Sequence, residues 1–347
     1  MKHVNSTRVK APDYHNPTVN DCLDLMTNDG TSFNPVGRDV PNATNKRIKL
    51  LNYKTYSLIG THNVRTLRQD YQKNELAENF NKCGLSILGI VDHKIVHEEE
   101  TVMVKQLDKC TLITTSAWRL SNNAACGGVG VLLNKAAEQC LAEIKPISER
   151  ILVAEFIGNP KTTVIIHYAP TEGSDGAEQH YEMLSNVVNS IPKHNLILEL
   201  GDFNAHLGRD NFSLAFHENT NKNGRLLVEH CTETNLLVSN LFFMKRPGKQ
   251  WTFMSDMNDT KSQIDLILVN KKWRNSVHNC EAYSTFNSMG SDHRLVVAKV
   301  KVSLRTMKTK TTNISYDWST LKSSEMQDMF TVNVRNRFAA LENNNDD

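Results

Sequence analysis

Leu85-Ser86-Ile87-Leu88-Gly89-Ile90-Val91, followed at once by Asp92-His93, decides how the chain is read. A nearly continuous apolar run reads as a strand covered on both faces, because a sheet with one wet face would alternate apolar and polar residues. Upstream, a helix is expected from about Arg68, with Leu76, Phe80 and Cys83 on one face and Gly84 placed to cap its end. Before it, Tyr56–Gly60 reads as a strand closing at a polar turn, Thr61-His62-Asn63. Downstream, strands are expected at 111–115, 128–133, 151–156, 163–168, 196–200, 236–240, 250–254, 264–269, 280–285 and 295–301, and helices at 176–190 and 223–234. Many strands with few long helices point to sheets packed face to face with helices outside, a layered α/β sandwich.

The 347 residues are 39% hydrophobic and 22% charged, a globular profile. A formal charge of +2 provides no global field toward nucleic acid, so such binding would rest on local basic clusters, of which Lys245, Arg246 and Lys249 before Trp251, and Lys271, Lys272 and Arg274 around Trp273, are the two candidates. The alternative for both is a solvated loop. Seven cysteines without a C-x-x-C pair argue against a disulfide framework or a zinc site. No signal pattern opens the chain and no run approaches the ~18 apolar residues of a membrane helix, so a protein of the nucleus or cytoplasm, not secreted, is expected. Gly127-Gly128-Val129-Gly130 precedes a strand instead of a helix, and no G-x-x-x-x-G-K-[ST] occurs, which gives nucleotide-cradling loops no support. The expected organisation is a disordered polar tail at 1–52, one domain at 53–304, and a basic linker with a short helix, a truncated connector, at 305–347.

The acids, amides and histidines fall at strand ends. Asn63, Asp92, Tyr168, Asp202, Asn204 and the Asp292-His293 pair all do so, while Asp265 lies just inside an apolar strand. Strand ends converge on one rim of a layered sheet, where sites are built. Each residue also has a plain reading as a turn or cap residue. Asp265 fits that reading least well, because a lone carboxylate among apolar neighbours is costly unless partnered, and His293 is the expected partner. His62, His93, His167 and His206 are read as polar rim residues and not as ligands, His97-Glu98-Glu99-Glu100 as a solvated loop lacking a second zinc-binding histidine, and Trp118, Trp251 and Trp273 as core or rim aromatics.

Seven segments occur in an order that resembles the endonuclease/exonuclease/phosphatase superfamily, in particular the apurinic-type endonuclease domains of non-LTR (LINE/RTE-type) retrotransposons and craniofacial-development-protein-2-like sequences. They are Gly-Thr-His-Asn-Val-Arg-Thr-Leu at 60–67, Leu-Gly-Ile-Val-Asp-His at 88–93, His-Tyr-Ala-Pro-Thr-Glu at 167–172, Gly-Asp-Phe-Asn-Ala-His-Leu-Gly at 201–208, Lys-Arg-Pro-Gly-Lys-Gln-Trp-Thr at 245–252, Ser-Gln-Ile-Asp-Leu-Ile-Leu-Val at 262–269 and Gly-Ser-Asp-His-Arg at 290–294. The resemblance implies a four-layer α/β sandwich of two packed mixed β-sheets flanked by helices. It implies an endonuclease that hydrolyses a DNA phosphodiester with Mg²⁺ (or Mn²⁺) to leave a 3′-hydroxyl and a 5′-phosphate, linked to the reverse transcriptase region of a longer polyprotein. Under it, Asp92 and Asp292 are metal ligands with Asn63 beside them, Asp202 and Asn204 position or activate water, His293 donates to the phosphate with Asp265 behind it, and Tyr168 contacts the phosphate or the metal's water shell. Arg65, Lys245, Arg246, Lys249 and Trp251 would meet DNA.

The chain departs from the family in one place. Asp92 stands where the family usually has Glu, retracting the carboxylate by about 1.5 Å. Two outcomes follow: a backbone shift or bridging water preserves activity, or the cation is held poorly. A phosphatase of the same superfamily and a catalytically weakened, host-adopted DNA-binding module are the alternatives.

Overall fold

The computed structural model describes residues 50–302, except 52, 285 and 287–289, together with 319 and 322–342. A seven-stranded sheet has the order β16 (Val277–Tyr283), β17 (Leu295–Val300), β1 (Ser57–Asn63), β2 (Ile87–Val91), β7 (Val129–Asn134), β4 (Cys110–Thr115) and β3 (Val102–Leu107). A six-stranded sheet has the order β12 (Leu236–Val238), β15 (Asp265–Asn270), β11 (Leu196–Asp202), β10 (Thr162–Tyr168), β9 (Ile151–Phe156) and β8 (Leu141–Ser148). Two short ribbons, β5 (Trp118–Arg119) with β6 (Ala125–Cys126) and β13 (Phe253–Met254) with β14 (Lys261–Ser262), complete the strands. The helices are α1 (Asp70–Lys82), α2 (Lys135–Cys140), α3 (Ala177–Ser190) and α4 (Lys222–Thr234).

Burial divides this mixed α/β fold into layers. One apolar cluster joins Ile87, Val91 and Val131 of the first sheet to Ala154, Val164, Ile166 and Leu198 of the second, so the sheets pack face to face. A second seats α1, through Leu76 and Phe80, on Leu88, Ile90 and Leu132. A third seats α3 and α4, through Leu184, Val188 and Leu227, on Val153, Ile165 and Leu268. All of β2 is buried, because alternate residues feed the first two clusters. The observed layering is the sandwich that the uninterrupted apolar run implied.

The ends of α1 are set locally. Gln72 Oε1 accepts the Gln69 N–H at 3.0 Å, and Gly84, at φ +64°, follows the last turn.

The topology positions the site. Each sheet holds one parallel pair, β1 with β2 and β10 with β11, so Asn63 lies beside Val91 and Tyr168 beside Asp202. Antiparallel β17 enters next to the end of β1, and β15 begins at Asp265, directly across from Asp202. Both parallel pairs thus deliver their carboxyl ends to one region, the usual location of sites in such sheets.

Several expectations are corrected. Thr61-His62-Asn63 is the buried end of β1, not a turn. His62 is fully buried edge-on to Phe286, and burial lowers its pKa to about 3. His93 and His167 are likewise buried instead of lying on a rim, while His206 stacks on His217 at 3.8 Å. Leu50 and Leu51, assigned to the polar tail, join the main core, and the rest of the expected 1–52 tail except Leu50 and Leu51 lies outside the described residues. Strands β3 and β8 and helix α2 were not anticipated. The strand expected at 250–254 is limited to β13, because Pro247–Lys249 forms a 3₁₀ turn ahead of it.

Behind β10 and β11 runs a buried polar chain. His180 Nε2 meets His167 Nδ1 at 3.2 Å, His167 Nε2 lies 3.3 Å from Glu199 Oε1, Glu199 Oε2 meets His230 Nε2 at 3.0 Å, and His230 Nδ1 meets Ser185 at 2.9 Å. Burial opposes charge on Glu199, yet His230 and His167 hold its carboxyl well below the ordinary range.

A separate compact unit spans Leu304–Asp347, and its described helix α5 (Ser324–Glu342) exposes Met326, Met329 and Phe330.

Candidate active site

Asn63, Asp92, Tyr168, Asp202, Asn204, Asp292 and His293 line one cleft of about 270 Å³, shared with Arg65, Lys94, Thr171, Phe253 and Ile264. Asp265 lies immediately behind it, fully buried, its Oδ2 2.8 Å from His293 Nδ1. The expected partner of this costly carboxylate is therefore the observed one. The Nδ1 contact directs His293 Nε2 into the cleft, where Asp202 Oδ2 and Asp292 Oδ1 each stand 4.0 Å away. Burial disfavours an imidazolium, but Asp265, then Asp202 and Asp292, outweigh it and raise the His293 pKa to about 9.

Asp202 sits in an Asx-type turn, its Oδ1 accepting the Asn204 N–H at 3.0 Å and its Oδ2 the Asn63 amide at 3.1 Å. Asn204, at φ +45°, is fixed by its own amide donating to Ala169 O at 2.9 Å. Burial, reinforced by the charge of cross-strand Asp265, raises the Asp202 pKa to about 7. Tyr168 is kept a neutral phenol by burial and by the Asp202 and Asp92 charges. Its ring lies near Arg150, whose guanidinium covers Trp118 and donates to Tyr168 O at 3.1 Å.

Asp92 is held differently. Its Oδ1 accepts the Gly127 N–H at 3.1 Å and its Oδ2 lies 3.1 Å from Lys94 Nζ. Burial raises the Asp92 pKa while Lys94 and Gly127 pull against it. Gly127 has φ +66°, and a Cβ there would lie 1.8 Å from the Trp118 ring, so this donor position requires glycine. Lys94, which lines the cleft, and Gly127, which is buried and donates to Asp92, were missed by sequence reasoning. The unexplained glycine run before β7 was the available signal.

Among the described residues, the group of three His, Cys, Asp or Glu whose ligand atoms lie within 4.8 Å of one another is Asp202, Asp265 and His293. The Asp265–His293 contact has the geometry of a hydrogen-bonded dyad that shares a proton, which favours orientation over coordination by Nδ1. Hard oxygen donors from Asp92, Asp292, Asp202 and Asn63 face one cleft, lined also by Arg65, Lys94 and His293. That donor set suits Mg²⁺ or Mn²⁺.

The expected DNA contacts divide. Arg65 is at the cleft, 3.3 Å from Asp256 and 3.6 Å from Asp292, and Arg246 is exposed. Lys245 and Lys249 are instead paired with Glu281 at 2.9 and 2.7 Å, and Trp251 is 9% exposed with the Arg294 guanidinium stacked on it. These three do not form an open cationic and aromatic surface.

A family model described as endonuclease-reverse transcriptase matches residues 162–297. Craniofacial development protein 2 of Bos taurus is 28% identical over 279 residues, 78% of this chain, and that of Tragulus javanicus is 27% identical over the same length. Among solved structures, an AP endonuclease from Leishmania major superposes with a TM-score of 0.56 at 14% identity, over 83% of this chain and all of that one. Together these matches agree with the resemblance to the endonuclease/exonuclease/phosphatase superfamily. Two further structures of similar fold are the endonuclease domain of the telomere-specific non-LTR retrotransposon TRAS1 (TM-score 0.51, 14% identity, 71% of this chain and 99% of that one) and a 3′-5′ exonuclease from Neisseria meningitidis (TM-score 0.55, 16% identity, 70% and 99%). The chain spans about half the length of the curated relatives it matches, 45% for the Bos taurus protein. No helix among the described residues is long and apolar enough to cross a membrane.

Proposed function

We propose that this chain is a divalent-metal-dependent DNA endonuclease that nicks one strand to leave a 3′-hydroxyl and a 5′-phosphate, as in target-site nicking by a non-LTR retrotransposon. The observation that carries the reading is His293, backed by Asp265 at 2.8 Å and facing Asp202 and Asp292 at 4.0 Å across an acid-lined cleft.

Asp92 and Asp292, with Asn63, would hold Mg²⁺ or Mn²⁺. When bound, the ion supplies charge neutralisation and polarisation of a phosphoryl oxygen. The other roles belong to the chain. Asp202, with a pKa near 7, accepts a proton from water, while Asn63 and Asn204 fix the carboxylate that receives it. The water oxygen forms the new bond to phosphorus, the P–O3′ bond breaks, and the departing oxygen takes up a proton from solvent. His293, cationic below about pH 9, donates from Nε2 to a non-bridging oxygen as its charge grows. Tyr168, a neutral phenol, donates from the opposite wall. Arg65 at the mouth is the lining residue best placed to meet the DNA backbone.

The test is conversion of supercoiled to open-circle plasmid in MgCl₂ by the purified full chain. Asp292→Ala and His293→Ala are expected to abolish it, and retained nicking by either overturns the reading. Phosphate release from a 3′-phosphorylated oligonucleotide without nicking would favour the phosphatase alternative, and plasmid binding without either reaction the non-catalytic module.

A further inference from the structure

Asp92 offers no unengaged oxygen. Gly127 N–H donates to Oδ1 and Lys94 Nζ stands 3.1 Å from Oδ2. The backbone is equally committed: Asp92 N–H donates to Gly128 O and Lys94 N–H to Gly127 O, both at 2.9 Å, and both residues are in the left-handed region at φ +58°. The carboxylate is thus held in place by its backbone and by Gly127, and Lys94 is its movable partner. The Lys94 side chain is 29% exposed, its head in the cleft, and Asp92 is its one carboxylate partner among the described residues. Asp92 and Lys94 both line the cleft.

We propose that Lys94 is a resident counter-ion of the cleft: a divalent cation entering at Asp92 must displace the ammonium, and the displaced ammonium becomes a donor to the DNA phosphates. This deepens the nuclease reading and rests on its cation site. Two like charges cannot share one carboxylate oxygen without mutual repulsion, so the exchange couples cation binding to the availability of Lys94. A flexible four-carbon stem permits the movement, and an ammonium freed beside a bound phosphate has an anionic partner at once. The residue thereby acts on cation and DNA in opposite senses. A lysine that only braced its loop would act on both in the same sense.

Calorimetric titration of the full chain with MnCl₂, and fluorescence anisotropy of a labelled DNA duplex in catalytically silent CaCl₂ and in EDTA at one fixed salt concentration, separate these cases. Lys94→Met and Lys94→Gln are both measured, with circular dichroism as the folding control. The exchange predicts several-fold tighter Mn²⁺ binding in both variants, several-fold weaker DNA binding in CaCl₂, and a smaller DNA defect in EDTA. Unchanged or weaker Mn²⁺ binding in both folded variants overturns it, as does a DNA defect equal with and without cation. If the wild type nicks plasmid and binds Mn²⁺ but the variants gain no affinity, the exchange alone fails. If the wild type and Asp292→Ala bind Mn²⁺ equally poorly and neither nicks, the nuclease reading fails with it.

Discussion

The two walls of the cleft are built from the same strand arrangement and finished differently. On the wall from the six-stranded sheet, Asp202, Asn204 and Asp265 are buried and locked by amides, a backbone N–H and an imidazole. On the wall from the seven-stranded sheet, Asp92 and Asp292 are paired with the cationic side chains Lys94 and Arg65. At Asp202, neutral amide and backbone donors fix the carboxylate's orientation while burial raises its pKa. Cationic partners hold a carboxylate in a state that another cation can replace. Under the proposed nuclease reading, one wall would serve proton transfer and orientation, the other ion exchange.

The strongest way to break this contrast is to neutralise one acid on each wall. Asp202→Asn is expected to lower nicking about a thousandfold, a loss that raising MgCl₂ does not recover. Asp92→Ala should lose activity that higher MgCl₂ partly restores. Equal rescue of both would remove the distinction. Asp265→Asn should cost about a hundredfold. It should also move the alkaline limb of the pH profile, because a His293 whose cation is no longer held by a carboxylate deprotonates at a lower pH than about 9.

Stability sharpens the comparison further. The His293 pKa rises from an ordinary 6.5 to about 9 on folding, which corresponds to about 3 kcal/mol of stabilisation. For a raised folded-state pKa that contribution is complete below about pH 6.5 and is lost as pH climbs through about 9. Denaturant unfolding of His293→Gln and wild type should therefore differ most at pH 6 and converge toward pH 9.5, apart from a pH-independent packing difference. Asp92→Glu is expected to tighten Mn²⁺ binding only a few-fold, since Gly127 and Lys94 already fill the positions around the acid. Lys249→Ala should change duplex affinity by less than about twofold, because its charge is already set against Glu281.

Much of the architecture was legible because burial on two faces leaves an apolar record, as in Ile87–Val91. The pairing of Asp265 with His293 was legible for a different reason: a carboxylate flanked by Ile264, Leu266 and Ile267 demands a partner. What escaped notice depended on distant neighbours. His62 reads as polar until Phe286 covers it, and Lys245 and Lys249 read as free charge until Glu281, more than thirty residues on, is seen between them. Strands β3 and β8 were missed because they carry half-buried, lysine- and proline-bearing patterns at sheet edges. Lys94 was missed because nothing in Asp-His-Lys shows that its head turns back toward Asp92.

The Ser291 hydroxyl donates to Asn63 O at 2.7 Å across a sequence separation of 228 residues, fastening the late Asp292-His293 segment to the first strand. During translation, His293 is the last of the cleft-lining residues to be synthesised. A chain clipped ahead of Gly290 would lose His293 and, with β17, the strand that lies between β16 and β1, so the cleft and the seven-stranded sheet are completed together.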